Sequence, residues 1–84
     1  AGMHKLQLAF RDRFPSELME RHDIVHREER GSIVLLVVRG EKRRIEETVR
    51  AFYPLILDVL PLSLEEIFMY EIGGDAHVRE AVVG

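Results

Sequence analysis

Apolar and polar positions along the chain change period several times, and each change marks an element. HKLQLAF alternates Leu6, Leu8 and Phe10 against Lys5, Gln7 and Ala9, the period-two pattern of a half-buried strand. In RDRFPSELMERH, Pro15 ends the extended run, and Ser16 reads as the cap of a short helix with Glu17 in its first turn. DIVHREER returns to extended chain through Ile24 and Val25, and Arg30-Gly31 reads as a tight hairpin because glycine accepts a positive φ. SIVLLVVRG is the strongest strand, with aliphatic residues at every position from Ile33 to Val38.

EKRRIEETVRAFY then sets Ile45, Val49 and Phe52 at i, i+4 and i+7. That is one apolar stripe of a helix, with Arg43, Arg44, Glu46, Glu47 and Arg50 left in water. Glu46 and Arg50 make a favourable i,i+4 pair. Pro54 closes this helix, and LILDVL reads as a fourth strand. The order is β-α-β-β-α-β followed by a third helix, which predicts an α+β, ferredoxin-like antiparallel sheet with an additional C-terminal helix. The first and third strands are expected at its centre. Ile33, Leu35 and Val37 would face one side and Val34, Leu36 and Val38 the other, so both faces of the sheet need cover. The second cover is expected from the third helix, a partner molecule or another domain, because a bare apolar face on the order of several hundred Å2 is unusual.

PLSLEEIFMYEIGG, residues 61–74, carries the signals of a helix start. Ser63 caps, Glu66 three residues later completes a capping box, and Leu62 with Ile67 forms the hydrophobic staple. Glu65 and Glu66 sit at the positive end of the helix dipole. Leu64, Ile67 and Phe68 fall on one side and are the expected docking residues, whether onto the chain's own core or at an interface. Gly73-Gly74 ends the helix.

Composition narrows the chemistry. The 84 residues suit one domain, 46% hydrophobic and 32% charged, in which roughly 60–65% of the unfolded surface is buried. Ala1 to Met3 read as a remnant or linker, residues 4–74 as the folded part and 75–84 as a tail. A net charge of −3 argues against a nucleic-acid partner. There is no cysteine, hence no disulfide or thiolate chemistry, which fits a cytosolic setting. No apolar run approaches the roughly 20 residues of a membrane span, and AGMHKLQLAF is too polar for a signal peptide.

His22 and His26 are four apart, but in extended chain that spacing is about 13 Å, too far to share one ion, so a surface role is expected. Glu28, Glu29, Glu46, Glu47, Glu65, Glu66, Glu71 and Asp75 lie on polar faces or helix ends and lack the buried cleft that a catalytic carboxylate pair needs. Ser16 and Ser63 are spent as caps. The arginines are interleaved with acids, as on a mixed solvated surface. No catalytic, cofactor-binding or metal site is therefore expected.

PLSLEEIFMYEIGG resembles the ending of ATP-binding subunits of bacterial ABC transporters of the exporter-like group, which finish with a Leu-Glu-Glu-hydrophobic-Phe segment after a small αβ domain. HKLQLAFRDRFP and GSIVLLVVRGE resemble the strands that follow the ATPase core in that group, so the likeness runs from about residue 4 to 74. Its most specific part is Ser63-Leu64-Glu65-Glu66-Ile67-Phe68. The resemblance implies a non-catalytic accessory domain, because the core's hallmarks are missing. There is no G-x-x-x-x-G-K-[ST], no LSGGQ-like stretch, and Val59 stands where an Asp-Glu pair after Leu57 would need its Glu. Mg-ATP is implied only for the absent core. The implied partners are the ATPase core of the same polypeptide, a second copy of the chain and a membrane permease, at the cytoplasmic face of the membrane. The alternative is a free-standing, dimeric ferredoxin-like regulatory module that binds a small metabolite.

Overall fold

The computed structural model describes residues 2–72. In chain order these form β1 (Gly2–Ala9), α1 (Ser16–Met19), β2 (Ile24–Arg30), β3 (Ile33–Gly40), α2 (Lys42–Arg50), β4 (Ile56–Leu60) and α3 (Leu64–Glu71). The four strands make one sheet in the order β2-β3-β1-β4, and every neighbouring pair is antiparallel. The protein is thus a small α+β domain. The most apolar strand, β3, and the first, β1, are the two central ones.

The register decides which side chains share a face. Leu6 stands opposite Leu36 and Val59, and Leu8 opposite Val34 and Leu57. Successive strand residues point to opposite faces, so these form one apolar layer. Leu18 and Met19 of α1, Ile45 and Val49 of α2, and Phe10 close over it as the main core, with Phe52 half-buried at its margin. Leu6, Leu8, Val34 and Leu36 are fully enclosed there. Phe10 and Phe14 meet edge to face at 6.1 Å and 76°, a favoured aromatic geometry.

Strand β2 does not follow simple alternation. Its pairing with β3 shifts between Ile24, opposite Val38, and His26, opposite Val37. The bulge at Val25 flips the parity. It turns Ile24 to the main core and places His26, Glu28 and Arg30 on the second face. The β2–β3 hairpin turns through Gly31, whose φ is +60°, the conformation that glycine adopts most readily.

Several boundaries differ from the expected ones. β1 takes in Gly2 and Met3, which pair with Gly40 and Arg39, so Gly2 and Met3 are strand residues and not linker. Ser16 is the first residue of α1 and caps nothing. Pro15 holds the N-cap position, and its carbonyl accepts from the Met19 N–H at 3.0 Å, so the helix begins one residue earlier than a serine cap would set it. α2 ends at Arg50. Its last turn tightens through Phe52 N–H to Val49 and Tyr53 N–H to Arg50, and Tyr53 takes φ +56° before Pro54. The predicted end at Gly73-Gly74 and the tail 75–84 lie outside the described residues.

α3 covers part of the second face. Lys5, Val37 and His26 form one row across β1, β3 and β2. Lys5 contacts Glu66 of α3, and His26 contacts Tyr70. Beneath this crossing Val37 is sealed, while Ile33 and Leu35, farther along the strand, are only half-buried.

Candidate functional site

The start of α3 is built as its sequence requires. The Ser63 Oγ accepts from the Glu66 N–H at 3.0 Å, and the Glu66 Oε1 accepts from the Ser63 N–H at 2.9 Å. These two bonds satisfy donors that a helix N-terminus leaves orphaned. The second Glu66 oxygen, Oε2, accepts from the Lys5 Nζ at 2.8 Å. One carboxylate therefore both closes the cap and ties the helix to the central strand β1.

The Lys5 ammonium, followed by the Ser63 backbone N–H, holds the Glu66 carboxyl below its ordinary pKa. A carboxyl whose folded pKa lies below its unfolded one contributes stability above the unfolded value and loses it as pH falls through the folded value. The docked α3 is thus expected to weaken only on strong acidification. Urea unfolding of the native chain and of Glu66→Gln, run from neutral to strongly acid pH, checks this. The native chain should be the more stable at neutral pH, and the gap should close in acid. A gap independent of pH would contradict the pairing.

The face of α3 that meets the sheet centres on Tyr70 and not on Leu64, Ile67 and Phe68, the residues expected to dock either on the chain's own core or at an interface. Tyr70 is the residue buried there, 7% exposed, with its ring 5.5 Å from that of His26 and tilted by 33°. Tyr70 and Glu66 are four residues apart and so share one side of the helix. Arg39 adds an exposed ion pair to Glu71 at 3.1 Å. Phe68, two residues from Tyr70, is turned about 200° away. Phe68 is 68% exposed and Leu64 85%, with Ile72 beyond the helix end at 62%. Of the residues expected to dock the helix onto the chain's own core, Leu64 and Phe68 point to solvent and Ile67 is only partly shielded. Leu64, Phe68 and Ile72 instead form an outward i, i+4, i+8 apolar stripe, flanked by exposed Met69. Single exposed apolar residues are ordinary; here Leu64, Phe68 and Ile72 share one side of one short helix.

The other candidate chemistry disperses. His26 is occupied by Tyr70, with its Nε2 3.6 Å from Glu28. His22 lies exposed in the turn before β2. The Arg30 guanidinium binds Glu28 and lowers its pKa. Among the described residues no three His, Asp or Glu side chains are grouped to hold a metal ion. No helix among them is long and apolar enough to cross a membrane. No known protein family, curated protein or solved structure matches this chain.

Proposed function

We propose that this chain is the accessory domain of an ABC transporter ATP-binding subunit and acts through contacts alone. The observation that carries this reading is the outward stripe Leu64, Phe68 and Ile72, on a helix pinned from behind by Tyr70 and Glu66. A helix fixed on one side and apolar on the other is suited to meet a second surface. The likeness of Ser63-Leu64-Glu65-Glu66-Ile67-Phe68 and of the flanking strands to that transporter group supports the choice of partner. The domain contributes no chemistry of its own in this reading. Mg-ATP belongs to a preceding core, and the stripe tunes how two ATPase halves close on each other or on the permease, on the cytoplasmic side of the membrane.

The fold is read as ferredoxin-like with α3 added. The strand order β2-β3-β1-β4 and the antiparallel pairings support this. The departure is α1, four residues long where that arrangement has a full helix.

Reading the gene upstream of the His4 codon tests the assignment. The expected result is a reading frame encoding G-x-x-x-x-G-K-[ST], an LSGGQ-like signature and an aliphatic strand ending in Asp-Glu. A start codon at Met3 would overturn it and favour a free-standing regulatory module that binds a small metabolite.

A further inference from the structure

The two edges of the sheet are protected unequally. β2 carries Arg27, Glu29 and Arg30, all exposed, and the bulge at Val25, devices that keep an edge from pairing with another chain. β4, the opposite edge, reads ILDVL and holds one acid, Asp58. Among the described residues no strand lies on its outer side, so backbone N–H and C=O groups along that side are open to a further strand. An exposed apolar patch continues from this edge. Tyr53 is 86% exposed and Leu55 58%, with Ile56 exposed beside them. Tyr53 is held there at φ +56°, an uncommon conformation for a bulky residue.

We propose that β4 pairs antiparallel with β4 of a second copy, about a two-fold axis at Leu57, and joins the two four-stranded sheets into one. A two-fold contact needs a surface that complements itself, and β4 does so in one register. With Leu57 opposite Leu57 of the copy, Leu55 stands opposite the copy's Val59 and Ile56 opposite its Asp58. Leu55, Leu57 and Val59 of both copies then form an apolar row on the main-core side, where Leu57 and Val59 already border the core. Centring the pair on Asp58 would set two carboxylates face to face, which is unfavourable. Centring it on Ile56 or Val59 would leave one end of the row, Val59 or Leu55, without a strand partner. Asp58 thus sets the register and does not close the edge.

The contact, Leu55 to Val59 from each copy, is small beside the area of stable dimers. Free chains therefore associate weakly, and copies held together in a larger assembly pair more firmly. The inference stands on the edge strand and the patch beside it, independently of the transporter assignment.

Sedimentation velocity and amide spectra of the 15N-labelled chain, recorded from about 10 μM to about 1 mM, test it. The chain should pass from monomer toward dimer, with concentration-dependent shifts centred on the amides of residues 55–60. Leu55→Lys, at an exposed position, should weaken the association at least about tenfold. The chain has no cysteine, so the register can be read by cross-linking. Leu57→Cys should oxidise readily to a disulfide-linked dimer, because directly opposed strand residues have Cα atoms about 4.5–5.5 Å apart, within disulfide reach. Ile56→Cys should not, since two copies of residue 56 would stand about 8 Å apart. Dispersed amide spectra establish that the variants fold, and the dilution series of the native chain stands without them. Absence of concentration dependence, shifts centred on β2 or α3, an unaffected Leu55→Lys, or equal cross-linking of the two cysteine variants would each overturn the proposal. So would protection of the β4 amides that is independent of concentration and lost on deleting residues 75–84, which would assign the edge to the chain's own tail.

Discussion

Replacing Tyr70 with Ala should destabilise the chain by about 2–4 kcal/mol, the range for truncating a large buried side chain. A domain of this length has roughly 4–12 kcal/mol in total, so the loss is a large share. Tyr70 is the only α3 residue buried against the second face, and it is backed by His26 on β2. Its removal leaves α3 held by Lys5–Glu66 and the exposed Arg39–Glu71 pair. Pairs as accessible as these contribute little on their own. The main core, on the opposite face, does not include Tyr70, so the sheet should persist while α3 separates from it. Urea unfolding and hydrogen exchange together measure this. A variant as stable as the native chain, with α3 amides equally protected, would show that Tyr70 does not hold the helix.

Phe68→Asp should have the opposite profile. At 68% exposure the ring contributes little to folding, and a surface substitution of this kind shifts stability by about 0.5 kcal/mol or less. The effect should fall on assembly. A central aromatic anchor typically carries 2 kcal/mol or more of an interface, which is roughly a thirtyfold loss of affinity, and a carboxylate buried without a partner adds to the penalty. Under the proposed assignment, affinity of the parent ATP-binding subunit for its dimer mate and permease, compared between native and variant, reads the effect. Unchanged assembly together with lowered stability would place Phe68 in the chain's own packing.

The contrast between these neighbouring residues shows what sequence periodicity can and cannot resolve. Strand β3 was legible because aliphatic residues at every position from Ile33 to Val38 suit a strand with cover on both faces. The inward face of α2 was legible because Ile45 and Val49 are the apolar positions among charged ones. The α3 cap was legible because Ser63 and Glu66 interact locally, across three residues. The rotation of α3 was not. The helix is apolar nearly all round, so its own pattern names no single inward side. The choice is made by Lys5 and His26, on strands far away in the chain.

The bulge at Val25 was hidden for a related reason. Adjacent Ile24 and Val25 are both apolar, and nothing local says where the face changes. That α1 stops after one turn is announced by no single residue. Pro15 gave the nearest signal, since its fixed φ and missing N–H suit the edge of a helix, yet it set only where α1 begins.

In the proposed role, α3 is fastened by Tyr70 and Glu66 and turns Leu64, Phe68 and Ile72 toward another surface. Hydrogen exchange of residues 64–72, compared between the isolated chain and the ATPase–permease complex of the proposed assignment, tests it most directly. The amides around Leu64, Phe68 and Ile72 should become markedly more protected on assembly while those of the main-core strands stay unchanged. Equal exchange of α3 in the two states would contradict it.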